Sequence, residues 1–280
     1  MKFNVSATLE YEVQEAGTII LNIHALRTPG QTVLSESFSV SPEMKCEELL
    51  SAFNENRFMR IVVPEKNYLT INYFATVETS LQYTNHEYQQ DLSVAELGSL
   101  VFPYLYPSRY CQSDKLYRFA NNKFGKIENP YWKVRALTNW IHRNIEYLSG
   151  STNSQTSAYD TVTEQAGVCR DFAHLGIALC RALTIPARYF TGYAFKLNPP
   201  DFHACFEAYI GGYWILFDAT KLAPLNGLVK IATGRDAADT AIANMFGNMV
   251  CSNISVMAEC VDESFEPFYY KENDASGIAY

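Results

Sequence analysis

Gly167-Val168-Cys169-Arg170-Asp171-Phe172-Ala173-His174 is the stretch on which the reading of this chain turns. A cysteine comes straight after a glycine turn and opens a run with helical spacing through Ala173, Ile177, Cys180 and Leu183. Free N–H groups and the positive end of the helix dipole favour thiolate over thiol at such a position. Thiolate is the form that attacks carbonyl carbon. Gly167 is read here as a residue chosen for backbone angles that side chains avoid. A helix cysteine can also be no more than a small buried hydrophobe. Its place at a helix start after glycine is what separates Cys169 from that reading.

Three strand-like runs follow, Ala187 to Phe195, Phe202 to Ile210 and Tyr213 to Ala219. Alternation along the second puts His203, Cys205, Glu207 and Tyr209 on one face, with Phe202, Ala204, Phe206, Ala208 and Ile210 on the other. Gly211-Gly212 is a two-residue hairpin signal. That loop pairs Ile210 with Tyr213, sets Cys205 opposite Asp218, and sets His203 opposite Thr220. Asp218 is then diagonal to His203 on one face, within side-chain reach. A half-buried polar face would show the same alternation, but not an imidazole and a carboxylate side by side downstream of a helix-start cysteine.

This order assigns roles. His203 takes the thiol proton and later protonates a leaving amine. Asp218 holds the imidazole in its working tautomer. The backbone N–H of Cys169 supplies one half of an oxyanion hole, and the second donor is not legible. Other candidates are weaker. His174 lies five residues after Cys169, off its face, and reads as a core histidine. Cys169, His174 and Cys180 do not match a zinc-ligand spacing. Cys205 reads as a packing residue. Arg170 and Asp171 suit a first helical turn, where the dipole favours Asp171. His24, His86 and His142 stand alone as structural or surface groups.

Upstream, residues 1 to about 100 read as short strands with turn signals at Thr28-Pro29-Gly30 and Pro64-Glu65, the pattern of a small β-sandwich. Pro103 and Pro107 lie in an aromatic linker. From Ser113, read as a cap, the spacing becomes helical. A stronger helix begins at Asn129-Pro130, with an apolar stripe of Val134, Leu137, Ile141, Ile145 and Leu148 and a stop at Gly150. Ser149 to Ser157 is a polar loop, and Val250 to Val261 is a late strand assigned to the N-terminal sheet. The expected architecture is α+β: a β-sandwich over 1–112, an α+β catalytic core over 113–245, and a C-terminal strand and tail over 246–280.

Composition limits the partners. With a net charge of -8 and no block of basic residues, nucleic acid is an unpromising partner. No run of about 18 apolar residues suggests a membrane span. Met1 to Tyr11 has no basic start followed by an apolar stretch, so no signal peptide is expected. Seven scattered cysteines without a CxxC pair suit a reducing compartment, and a cytoplasmic location is the expectation.

The nucleophile stretch resembles that of the bacterial transglutaminase-like superfamily, which shares the papain-like catalytic core. The likeness continues through Ile185-Pro186-Ala187-Arg188-Tyr189-Phe190-Thr191-Gly192-Tyr193, His203-Ala204-Cys205-Phe206-Glu207, Trp214-Ile215-Leu216-Phe217-Asp218-Ala219-Thr220 and Gly234-Arg235-Asp236, about 70 residues in all. The family's Cys-His-Asp triad maps onto Cys169, His203 and Asp218. The resemblance implies a papain-like core after a β-domain, with no metal and no cofactor. Two positions depart from the family: Cys205 stands where Trp is usual, and Ala219 stands where Pro is usual. The implied activity is acyl transfer at an amide, either peptide hydrolysis or glutamine transamidation, through a thioester on Cys169. The implied partners are a protein or peptide substrate and, for transamidation, an amine acceptor. The alternative is an inactive transglutaminase-like binding or scaffold module.

Overall fold

The computed structural model describes residues 1–51, 56–87 and 92–280. The chain opens with β1 (Lys2–Val13), β2 (Gly17–Leu21), β3 (Gln31–Ser41), β4 (Lys45–Leu50), β5 (Arg57–Val63), β6 (Asn67–Thr79) and β7 (Gln82–Asn85). Next come α1 (Ser113–Phe124), α2 (Pro130–Asn144), β8 (Glu146–Tyr147), α3 (Ala158–Glu164), β9 (Ala166–Gly167) and α4 (Cys169–Ala182). The remainder is strand: β10 (Ala187–Ala194), β11 (Phe202–Ile210), β12 (Tyr213–Phe217), β13 (Leu228–Gly234), β14 (Ala243–Phe246), β15 (Met249–Cys260) and β16 (Ser276–Ala279). Among the described residues no helix is long and apolar enough to cross a membrane.

Two four-stranded sheets, ordered β15-β1-β6-β3 and β14-β2-β5-β4, make the N-terminal sandwich. Strict alternation builds it. In β1 the residues Phe3, Val5, Ala7, Leu9 and Tyr11 are buried, while their neighbours face outward. β15 pairs antiparallel with β1, so the late strand belongs to the N-terminal sheet, as expected. The core sheet has six strands, β13-β10-β11-β12-β16-β7. Pairing therefore cuts across the boundaries read at 112 and 245. β7 crosses into the core sheet, and β14 and β15 return to the sandwich.

Helices cover one face of the core sheet. The α2 stripe of Val134, Leu137 and Ile141 is buried with Phe172, Leu175 and Leu179 of α4 and with Phe206 and Phe217 of the sheet. Burying such side chains contributes roughly 1.5–3 kcal/mol each. Two helix boundaries differ from those expected of the sequence. Ser113 is the first helical residue, and its N-cap is Gln112. α2 stops at Asn144, and Leu148 is exposed. The reason is a competing partner. Glu146 N–H and Leu148 N–H donate to the carbonyls of Gln165 and Gly167, at 2.8 and 3.0 Å, so the chain satisfies its backbone in the parallel β8–β9 pair.

Polar anchors lock the sandwich to the sheet that carries the candidate site. Tyr193 Oη donates to the Ile23 carbonyl at 2.7 Å, Gln31 Nε2 donates to that of Lys230 at 2.8 Å, and Asn56 Nδ2 donates to that of Thr233 at 2.8 Å. The sandwich is thus a buttress for β10 and β13.

Candidate active site

Cys169 is the first residue of α4 and is half-buried. Before it, Val168 is extended, with φ −114° and ψ −177°. Asp171, fully buried, reaches back and accepts the Val168 N–H at 3.0 Å on Oδ2. This cap adds to the dipole role read from sequence. Gly167 has no positive φ, so the backbone-angle reading is corrected. Its reason is close approach, since a Cβ there would lie 2.8 Å from the Asp171 Cβ and collide with the cap.

The hairpin register is the one expected, from Ile210↔Tyr213 to Phe206↔Phe217. Gly211 and Gly212 both take positive φ, 61° and 88°, which a two-residue turn of this hand requires. β12 ends at Phe217, and Asp218 departs from the ladder toward His203. His203 Nε2–H donates to Asp218 Oδ2 at 2.9 Å. Asp218 Oδ1 accepts the Thr220 hydroxyl at 2.7 Å and the Thr220 N–H at 2.8 Å. Both carboxylate oxygens are thereby fixed, and Thr220, which sequence reading placed only as a neighbour, is the group that orients Asp218.

Both members of this pair are buried. Burial penalises their charges, but each stabilises the other. The Asp218 carboxylate raises His203 well above 6.5, and the imidazole with the Thr220 donors lowers Asp218. The other ring nitrogen, Nδ1, makes no closed hydrogen bond. The Cys169 thiol is near enough to the ring to add to its rise. A loose contact between base and nucleophile is common before substrate arrives. The structure thus gathers the three residues singled out from sequence, Cys169, His203 and Asp218.

Cys205 lies among them but is chemically quiet. Burial first, then the Asp218 charge, pushes its thiol up to about 12, so it stays protonated at neutral pH. One ligand atom each from His203, Cys205 and Asp218 lie within 4.8 Å of one another. A metal held there would need the Cys205 proton removed and would compete for the groups that make the imidazole–carboxylate bond. This donor set fits a proton relay better than a cation.

A cleft of about 440 Å³ opens over Cys169 and His203, walled by Arg170, Tyr189, Phe202 and the segment Thr240 to Asn244. His174, read as a core histidine, anchors that wall by accepting the Ala237 N–H on Nε2 at 3.1 Å. Burial, and then the charges of Arg170 and Arg181, hold it well below 6.5, so it is a neutral acceptor. Asp236 of Gly234-Arg235-Asp236 accepts the Tyr110 N–H at 2.9 Å and pins the linker to the same wall. His142, read as isolated, sits behind the site with Nδ1 3.2 Å from the Ala219 carbonyl. Sequence reading passed over Tyr147 altogether. It stands on β8 opposite Gly167, with its ring against Phe172 at 5.8 Å between centroids, and burial and then the nearby Cys169 hold its phenol above 10.

Known proteins match the same two parts. The profile of the bacterial transglutaminase N-terminal domain matches residues 1–100, and that of the transglutaminase-like superfamily core matches residues 117–219. A Cytophaga hutchinsonii protein solved as a candidate cysteine protease is 56% identical, with a TM-score of 0.98 over 100% of this chain and 97% of that one. An uncharacterised Mycobacterium leprae protein is 26% identical over 164 residues, 55% of this chain and 59% of that protein. An uncharacterised Mycobacterium bovis protein is 39% identical over 67 residues, 24% of this chain and 21% of that protein. The chain thus spans less than two thirds of these mycobacterial relatives. Triad order, sheet topology and both profile matches agree, and the chain belongs to the transglutaminase-like superfamily.

Proposed function

We propose that this protein is a cysteine enzyme of acyl transfer, cleaving or exchanging amide bonds through a thioester on Cys169. The observation that carries this reading is the His203 imidazole. Asp218 holds one of its nitrogens, and the other is left for the Cys169 thiol at the floor of an open cleft. With its proton passed to His203, the Cys169 sulfur attacks the amide carbonyl carbon, and the carbonyl π pair moves onto oxygen. The tetrahedral adduct collapses, the C–N bond breaks, and His203 protonates the departing amine. Water or a second amine, deprotonated by His203, then attacks the thioester and releases the sulfur. The substrate proposed is a protein or peptide, since the cleft is open and elongated chains can cross it.

Iodoacetamide labelling at pH 7, read by peptide mapping, tests the reading. Cys169 is expected to react at least tenfold faster than the exposed Cys46, and His203→Ala is expected to remove the excess. Equal rates at Cys169 and Cys46 would replace the enzyme with a scaffold. Peptide hydrolysis against amine incorporation into glutamine peptides then separates the two resolving nucleophiles.

A further inference from the structure

β14 is the last strand of its sheet, and it stands in the wall of the cleft. The order β14-β2-β5-β4 leaves one of its sides without a strand among the described residues. Ala243 and Asn244 line the same 440 Å³ cavity as Cys169 and His203. An open sheet edge therefore runs up to the nucleophile.

The register says which backbone groups are open. β14 pairs antiparallel with β2 from Ala243↔Leu21 to Phe246↔Thr18. One residue earlier, Asn22 N–H donates to the Ile242 carbonyl at 2.8 Å. In an antiparallel ladder hydrogen-bonded and non-hydrogen-bonded pairs alternate. Ile242, Asn244 and Phe246 therefore point their N–H and C=O groups at β2. Ala243 and Met245 point theirs the other way, so two donors and two acceptors stand in line on the open side. Their counterparts on β2, Leu21 and Ile19, pair onward with Met59 and Ile61 of β5, as the same alternation requires.

Such an edge is ordinarily guarded by charge or proline. β4, at the far side of the same sheet, carries Lys45, Glu47 and Glu48. β14 reads Ala-Asn-Met-Phe, with Met245 and Phe246 exposed. Its unguarded edge continues the cleft, and that continuity selects the occupant. An extended peptide carries the complementary row of N–H and C=O groups at the same spacing.

We propose that β14 is the substrate-binding edge of this protein: a stretch of the polypeptide substrate lies along it as an added strand, bonds to Ala243 and Met245, and so brings an amide to Cys169. This deepens the acyl-transfer reading above and rests on it. Main-chain bonds supply the affinity in this mode, so an extended segment is selected over a helical or compact one. The sandwich thereby takes part in the reaction, since β14 and its support β2 belong to its sheet.

Chloroacetylated peptides test the proposal. A chloroacetyl group on a diaminopropionyl side chain alkylates the Cys169 sulfur with loss of chloride. At the centre of a heptapeptide of alanine and serine it leaves backbone on either side, and on a single capped residue it leaves none. The heptapeptide is expected to label Cys169 at least about tenfold faster, as two or three net hydrogen bonds would give. N-methylation of its amides one at a time should show a period of two: an amide that faces β14 costs at least about threefold, and its neighbours less than about twofold. In Met245→Pro the gain with length is expected to fall at least about threefold, because proline there removes an outward N–H and no ladder bond. Equal rates for the two reagents, a scan without alternation, or a full length gain in folded Met245→Pro would each overturn the proposal. The scan uses the wild-type protein, so it decides the matter even where the variant does not fold. If the acyl-transfer reading itself is wrong, Cys169 shows no excess over Cys46 with iodoacetamide, a result read before any peptide is added.

Discussion

The sandwich and the core each bury a histidine beside charged partners, and the two fare in opposite ways. His24, in the sandwich, is wedged between the rings of Phe38 and Tyr73, with centroids 5.1 and 4.6 Å away. Burial, and then the Arg57 cation, push it down to about 4. The carboxylates nearby are committed elsewhere, since Arg57 binds Glu36 at 2.8 Å and Glu48 at 2.7 Å. His203, in the core, has a carboxylate of its own, and its pKa goes up. Burial is common to both. A carboxylate of its own on one nitrogen and a thiol near the ring distinguish the histidine proposed as the base from a packed ring.

The largest effect should separate these two rings. His203→Ala is expected to slow iodoacetamide labelling of Cys169 at pH 7 by about 10²-fold, and His24→Phe to leave it within twofold. Equal rates in the two variants, measured by mass spectrometry of the Cys169 peptide, would erase the distinction.

Stability should also divide by region. In the core, Glu207 is fully buried and joins Arg188 at 2.5 Å to Lys230 at 2.7 Å. Glu207→Gln leaves those cations without their counter-charge and is expected to cost about 3–5 kcal/mol in urea unfolding. In the sandwich, the Glu48 side chain is 40% exposed and shares Arg57 with Glu36. Glu48→Gln is expected to cost about 1 kcal/mol or less. Similar costs at both sites would contradict the contrast in burial.

The pH dependence follows from the signs. His24 protonates at 6.5 when unfolded and at about 4 when folded. The unfolded chain therefore binds more protons between those values, and stability falls as pH drops from about 6.5 to 4. Glu36, lowered from 4.5 to about 2 as Arg57 and Tyr73 outweigh burial, extends the loss toward pH 2. His203 acts in the other direction. Its raised folded value gives stability that is complete below about 6.5 and lost as pH rises through that folded value. Thermal melts from pH 4 to 9 should show an acid limb that flattens in His24→Phe and an alkaline limb that flattens in His203→Ala. An acid limb unchanged by His24→Phe would place the sensitive group elsewhere.

The smallest expected effect belongs to the cysteine beside the triad. Cys205 should remain unlabelled by iodoacetamide at pH 7, because burial beside Asp218 keeps it protonated. Cys205→Ala should leave Cys169 labelling within threefold. Rapid modification of Cys205 would make it a second nucleophile and blur the assignment of Cys169.

Much of this was written in local pattern. A helix opening at Cys169, the Gly211-Gly212 turn and the parity of His203 with Asp218 each follow from a period of 3.6 or 2 and a turn of known length. The α2 terminus was not legible, because Ile145 and Leu148 continue an apolar stripe while the backbone N–H groups of Glu146 and Leu148 find partners in the carbonyls of Gln165 and Gly167. Nor was the burial of His203, Cys205 and Glu207, whose face looked half-solvated by alternation alone. The sandwich behind the core sheet and the C-terminal strap beside it close that face, and neither is a near neighbour in sequence.

The sequence by itself placed Cys169 at a helix start and His203 beside Asp218 on a hairpin, and it pointed to the family to which the chain belongs. Those depend on residues a few positions apart, where geometry is set by the backbone. Only the tertiary structure decided that Thr220 fixes Asp218 and that His174 and Asp236 hold the cleft wall. Each is a contact between a side chain and a distant backbone or a neighbouring turn. Such contacts carry no periodicity, and their energy exists only after the sheets and helices have packed.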